Sequence, residues 1–283
     1  METGSLTPPP PGLPERPEGV ERGPAWPWWF GLAGLIVGYA VTLILAGVVA
    51  AIVGADGESD SPTFVILGTL VQAFALGAAA VVFAGFVAKP KAWHFGLRRT
   101  RFWPALGWAG AGILTFYIVA AAYSPLVPED VKQSVTDDLG ADEGTLGLIA
   151  AGVMVMVVAP VAEEFFFRGF FYRALRSRFS VAAAATIDGV LFGVIHYNFE
   201  GADALLLLPP LALLGVIFCL VYEKTGSLFP VIGMHAFNNS VAYAAQADDG
   251  WLVSLAVGPL VLAACMLAPR FCRPVAAPRH APA

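Results

Sequence analysis

The chain has 283 residues, of which 58% are hydrophobic and only 13% are charged. A soluble domain carries roughly 25% charged residues, so this deficit excludes a surface that faces water throughout and indicates that lipid covers much of the protein. The formal net charge is -5, no basic run indicates a nucleic-acid partner, and the three cysteines lack the spacing of a disulfide framework or a zinc site.

Residues 1–26 are rich in proline and contain the run Pro8-Pro9-Pro10-Pro11. This composition predicts a disordered cytoplasmic tail. The segment has no short apolar core ending in a cleavage site, so it is not expected to be a signal peptide.

Apolar stretches then follow one another to the end of the chain. A helix needs roughly 20 apolar residues to cross a bilayer, and the fifth and seventh stretches are short and contain polar residues. The fold class predicted is therefore all-α, a polytopic transmembrane helical bundle of about eight spans. The predicted spans are 28–53, 63–88, 102–123, 145–170, 181–197, 203–222, 228–246 and 251–268.

The distribution of charge predicts the orientation of these spans. If both termini are cytoplasmic, all but one of the 16 basic residues lie on the cytoplasmic side, counting the inner ends of the helices as part of that side, and the exception is Lys132. The acidic residues of the loops then lie outside, which agrees with the positive-inside rule. Trp26, Trp28 and Trp29 stand where an interfacial aromatic belt is expected.

The predicted organisation has four parts. After the tail come the first transmembrane helices with an acidic external loop, residues 27–144. Residues 145–246 form a catalytic core, and residues 247–283 hold the last helix and a short cytoplasmic tail. The expected location is the plasma (inner) membrane of a bacterium, since the composition is rich in alanine.

Ionisable residues inside the spans cost about 2.5–3.5 kcal/mol each to insert, and here they cluster in the second half of the chain. Glu164 and Arg168 are four residues apart and share a helix face, whereas Glu163 is rotated by about 100°. One carboxylate can thus be held by the arginine while the other serves as a general base. The alternative is an ion pair that only fixes helix packing.

Two further spans carry polar residues at the same spacing. Phe192 lies one turn before His196, and Asp188 lies one turn before Phe192, where it either holds the His196 tautomer or is a protonated packing residue. Taking 1.5 Å per residue, His196 is nominally farther from the cytoplasmic side than the other site residues.

The third cluster lies in the seventh span. His235 and Asn239 share a face and can donate hydrogen bonds to an oxyanion. Asn238 is adjacent, so which amide faces the site stays open, with spacing favouring Asn239. Interhelical hydrogen bonding for packing is the alternative.

Together these residues read Glu163-Glu164-x-x-x-Arg168, Phe192-x-x-x-His196 and His235-x-x-x-Asn239. This order resembles the CPBP family, the CAAX proteases and bacteriocin-processing enzymes, also called the Abi family. The resemblance covers residues 145–246. Asp188 departs from the pattern, because the family more usually has a small or hydroxyl residue there.

The resemblance implies an intramembrane endopeptidase acting on a peptide or the tail of a membrane-associated or lipid-modified protein. It implies that Glu163 activates water with help from His196, that His235 and Asn239 stabilise the oxyanion, and that Arg168 orients the glutamates. The family is often labelled a metalloprotease. A mechanism that requires no cofactor is favoured, while a zinc site formed by Glu163, His196 and His235 is the alternative.

Two other functions compete with catalysis. A non-catalytic immunity or scaffold protein would bind peptide without cleaving it, but would not need the whole set of residues. A proton-coupled transporter would use the buried carboxylates as a relay, but the paired halves common in transporters are not evident.

Overall fold

The computed structural model describes residues 23–53, 61–128, 131, 135–197 and 202–272. These residues form helices and connecting turns, with no strand among them, so the predicted all-α membrane bundle is confirmed. The helices that matter for the site are α1 (Trp29–Val53), α2 (Pro62–Gly85), α3 (Phe102–Tyr123), α4 (Thr145–Leu175), α5 (Val181–Val194), α6 (Leu208–Thr225), α7 (Leu228–Gln246) and α8 (Gly250–Phe271).

Within the described residues, six helices are long and apolar enough to cross a membrane, α6 being counted with the turn that precedes it. The other two are α5, with only 14 residues, and α7, which carries His235, Asn238 and Asn239. These are the fifth and seventh predicted spans, the two that the sequence marks as short or polar. The orientation with both termini inside stays a prediction.

The outer surface of the bundle is apolar. Ile36, Leu43 and Leu260 are 69%, 74% and 70% exposed. Soluble monomers rarely expose large contiguous apolar patches, so a surface of this kind is expected to face lipid. The chain is an integral, multi-pass membrane protein.

Helix α4 is interrupted by two π-helical segments, Met154–Val158 and Phe167–Phe171. Pro160 follows the first segment and has no backbone N–H to continue a regular helix. Across that segment the N–H of Ala159 donates to Met154 O, five residues back, rather than to Val155 O. The carbonyl of Val155 is therefore available to another helix, as π-segments at functional sites often allow.

Helices α5 and α6 approach closely because glycines face each other between them. A Cβ on Gly189 would lie 2.7 Å from both Ala212 O and Val216 N, and a Cβ on Gly215 would lie 2.8 Å from Gly189 Cα. Such small residues allow backbones to approach within a membrane. The contact brings the carbonyl of Gly215 toward the centre of the bundle.

The segment between α2 and α3 closes one end of the bundle. It contains a 3-10 turn, Ala92–Phe95, and the N–H of Leu228 donates to Gly96 O at 2.9 Å. Beside it, Glu223 accepts hydrogen bonds from Tyr172 at 2.7 Å and from Arg176 at 3.3 Å, so this buried carboxylate is paired.

One prediction for the start of the chain is wrong. Trp26 is only 1% exposed and packs against Phe95 and Phe170, with ring centroids 5.2 and 5.1 Å away, so it belongs to the core rather than to an aromatic belt. Trp28 and Trp29 are exposed, as a belt requires. The remainder of the predicted tails, residues 1–22 and 273–283, lies outside the described residues.

Candidate active site

The site is built on a fully buried ion pair in the middle of α4. Arg168 Nη1 donates to Glu164 Oε1 at 2.9 Å, and both side chains have no exposed surface. The pairing of residues four apart agrees with the sequence interpretation. An isolated charge would be very costly at this depth, so each group needs the other.

Arg168 is also held from α5 and α6. Its Nη2 donates to Gly215 O at 3.0 Å, and its Nε lies 3.5 Å from Asp188 Oδ1. Asp188 Oδ1 accepts a hydrogen bond from Cys219 Sγ at 3.1 Å. The structure thus places Asp188 against Arg168 and not against His196. Of the two roles predicted for Asp188, holding the tautomer of His196 is therefore the one that the contacts do not favour.

Aromatic rings surround the guanidinium group on its remaining sides. The Arg168 Cζ atom lies 4.4 Å from the ring centroid of Phe192, 5.1 Å from that of Phe218 and 5.7 Å from that of Phe167. These distances suit cation–π interactions, which strengthen when the cation is desolvated. Phe192 therefore serves the site by holding Arg168.

His235 links the buried pair to the second glutamate. Its Nδ1 lies 2.9 Å from Glu164 Oε1, and its Nε2 lies 3.9 Å from Glu163 Oε2. A carboxylate oxygen can only accept, so Nδ1 carries the proton of this hydrogen bond and Nε2 is the nitrogen that faces Glu163.

His196 reaches the same carboxylate from the turn that follows α5. Its Nδ1 lies 2.6 Å from Phe192 O, which can only accept, and its Nε2 lies 3.7 Å from Glu163 Oε2. The nominal depth of His196 along its span suggested a position too far out. The structure brings it to the site, because α5 is short and its end is set by packing on α6.

Glu163 differs from its neighbour in its surroundings. Its side chain is 14% exposed, whereas that of Glu164 is 0% exposed. Among the described residues, the Oε2 atom of each glutamate has no hydrogen-bond donor, but Glu164 Oε1 accepts from Arg168 and lies 2.9 Å from His235 Nδ1. The two adjacent carboxylates therefore have different environments, one held by fixed donors and the other open toward the two histidines.

The two asparagines lie on one side of the histidines. Asn239 Nδ2 donates to Val155 O at 2.9 Å, the carbonyl that the π-helical segment of α4 releases. Asn238 Nδ2 lies 3.4 Å from Asn239 Oδ1, and Asn238 Oδ1 lies 3.4 Å from Tyr117 Oη. Both amides line the same cavity, so the spacing argument for Asn239 alone does not separate them.

This cavity has a volume of about 340 Å³ and is lined by Glu163, both histidines and both asparagines. Tyr39 of α1, with Thr69 and Gln72 of α2, also lines it. The sequence interpretation missed these three residues, since it treated the first spans as plain. The signal that could have found them is the presence of polar side chains within otherwise apolar stretches.

The positions of Glu163, His196 and His235 can be compared with those that a zinc site requires. Glu163 Oε2 faces both Nε2 atoms, but zinc requires each donor at roughly 2.0–2.2 Å from a common point. In the part of the chain that the structure describes, no group of three or more His, Cys, Asp or Glu side chains is arranged to hold a metal ion.

The site thus consists of two adjacent glutamates and two histidines between the helices of a membrane bundle, an arrangement typical of a functional site rather than of helix packing alone. Residues 145–241 match the family model for "Type II CAAX prenyl endopeptidase Rce1-like", and this segment contains all three motifs. The resemblance drawn from the motifs is confirmed. No curated protein and no solved structure matches the chain.

Proposed function

We propose that this protein is an intramembrane endopeptidase in which Glu163 activates a water molecule for attack on a peptide bond. The observation that carries the proposal is the unequal environment of the two adjacent glutamates. Glu164 is committed to Arg168 and His235, while Glu163 Oε2 faces two histidine nitrogens at the wall of the cavity.

The separation of Glu163 from His196 suits a shared water molecule. Their facing atoms are 3.7 Å apart, so one water at about 2.8 Å from each would hydrogen-bond to both. Glu163 would take a proton as the hydroxyl attacks the scissile carbonyl carbon. The proton then passes to the leaving amine, which restores the carboxylate.

The negative oxygen of the tetrahedral intermediate needs donors on the opposite side. Asn239 gives one Nδ2 hydrogen to Val155 O, and a carboxamide has a second to donate. His235 adds a donor when its Nε2 is protonated, and Glu164 holds the orientation of the ring through Nδ1. Donors fixed in advance are the largest single contribution in many enzymes.

The substrate proposed is a peptide segment near the tail of a membrane-associated or lipid-modified protein. Two observations support it: the cavity lies among membrane-spanning helices, and the matched family is named for CAAX prenyl endopeptidases. The alanine-rich composition supports the plasma membrane of a bacterium as the location.

Cleavage of a fluorescence-quenched peptide library, with some members carrying a farnesylated cysteine, tests the proposal on detergent-purified protein. Glu163→Gln keeps the size of the side chain but removes the base, so the rate should fall by about 10²–10⁴. Wild-type activity should survive a zinc chelator.

Glu223→Gln is the matched control, because Glu223 is a buried carboxylate that does not line the cavity. It should lower the melting temperature without abolishing cleavage. Full activity of Glu163→Gln would overturn the role of Glu163. Loss of activity with chelator and recovery with added zinc would replace the metal-free mechanism by a metal site.

A further inference from the structure

A second and larger cavity lies on the far side of α7 from the catalytic cavity. Its volume is about 460 Å³, within the range of small-molecule sites. His235, Asn238 and Asn239 face the catalytic cavity, whereas Met234 and Phe237 face this second one, which we call the α3–α7–α8 groove. Its apolar wall includes Ala109, Ile113, Met234, Phe237, Leu262 and Met266.

The groove is apolar along its length and positively charged at one end. The charged residues among those lining it are Arg99 and Arg270, and no acidic side chain lines it. Both arginines are exposed, and within the described residues neither is ion-paired. The guanidinium of Arg270 lies 5.9 Å from the ring centroid of Phe102, which holds it at the mouth.

The position of the arginines along the helices matches the depth of lipid headgroups. Arg99 precedes the first residue of α3 by three positions, and Arg270 is the last residue but one of α8. Basic side chains at helix ends reach the bilayer interface, where they attract anionic headgroups. The groove below them extends back into the spans.

We propose that the α3–α7–α8 groove binds an anionic glycerophospholipid of the surrounding bilayer, with an acyl chain along the apolar wall and the phosphate between Arg99 and Arg270. The positive charge of the two arginines complements the negative charge of the phosphate, which distinguishes this site from an apolar surface that only faces lipid. The proposal does not depend on the peptidase function, because the groove shares no lining residue with the catalytic cavity.

The test is native mass spectrometry of detergent-purified protein with an equal mixture of phosphatidylglycerol and phosphatidylcholine. Wild type should retain phosphatidylglycerol in preference. Arg99→Gln with Arg270→Gln should reduce that preference by about fivefold for each arginine, the effect of one basic residue near an anionic surface. Arg101→Gln is the matched control, since Arg101 is exposed on the same segment but does not line the groove.

A second pair of variants tests the apolar part. Gly110 lines the groove and Gly107 does not, and an added Cβ would meet no atom within 4 Å at either position. Gly110→Leu should therefore lower retention of both lipids by filling the groove, whereas Gly107→Leu should retain them as wild type does. Unchanged melting temperatures in detergent would establish that both variants fold.

Three outcomes would overturn the proposal. The first is equal retention of the two lipids by wild type, and the second is wild-type retention by Gly110→Leu. The third is displacement of phosphatidylglycerol by a farnesylated peptide whose own binding is lost in Gly110→Leu, which would assign the groove to the lipid chain of a substrate instead.

Discussion

Arg168 shows how a charge is accommodated where lipid surrounds the protein. Its guanidinium donates to Glu164 and to Gly215 O, lies 3.5 Å from Asp188 and stacks on Phe192. A planar group with several donors can make all of these contacts at once, which a lysine ammonium cannot. The arginine is therefore a positioning residue that fixes Glu164, and through Glu164 the ring of His235.

Arg168→Lys should keep the positive charge but lose the planar contacts. We expect the melting temperature to fall and kcat to fall by about 10- to 100-fold, because His235 would no longer be held within the narrow tolerance that catalysis needs. Arg178→Lys, at an exposed arginine of the turn that follows α4, should match wild type in both assays. A Lys variant with wild-type kcat would show that Glu164 is positioned without the arginine.

At the scale of single residues, the sequence predicts pairs along one helix well. The predicted pairing of Glu164 with Arg168 depends only on their spacing of four residues, and in the structure the two side chains are 2.9 Å apart. Contacts between helices were not predictable in the same way. Whether Asp188 meets Arg168 or His196 depends on the rotation of α5 against α4, and no local spacing encodes that rotation.

Among the elements, the helices themselves were predicted and their interruptions were not. The apolar stretches end at turns and charged residues, so bounds such as 102–123 and 228–246 agree with α3 and α7. The π-helical segments of α4 leave no such mark. Pro160 hints at the first, but the release of Val155 O for Asn239 becomes visible only with both helices in place.

The close approach of α5 and α6 can be tested with one methyl group. Gly189→Ala would bring a Cβ within 2.7 Å of the backbone of α6, which cannot move aside as a side chain would. We expect it to destabilise the protein by about 1–3 kcal/mol and to lower activity, since α5 carries Asp188 and Phe192 to Arg168.

The matched control for this variant is Gly77→Ala on α2, where an added Cβ meets nothing within 4 Å. It should leave stability unchanged or raise it by about 0.5–1 kcal/mol, because alanine favours a helix. Thermal unfolding in one detergent compares the two variants. Equal melting temperatures of the two variants would mean that α5 and α6 can move apart to accommodate the methyl group without loss of stability.

At the scale of the whole molecule, the site draws on both halves of the chain. The motifs and the family match lie in residues 145–241, yet Tyr39 and Gln72 of the first two helices line the catalytic cavity. The predicted division at residue 144 stays a prediction. Both halves close around one cavity, because the polar side chains of α4, α5 and α7 cannot face lipid.

The orientation of the bundle in the membrane is the remaining prediction. It states on which side of the membrane each loop lies. The basic residues predict that the α4–α5 turn and the α2–α3 segment are cytoplasmic and that the loops around Asp142 and Asp248 are external. In a variant without native cysteines, Asp142→Cys and Asp248→Cys should react with an impermeant maleimide on intact cells. Lys91→Cys and Ser177→Cys should react only after the membrane is opened. Reaction of Lys91→Cys or Ser177→Cys on intact cells would reverse or break the predicted alternation of spans, and with it the assignment of both termini to the cytoplasm.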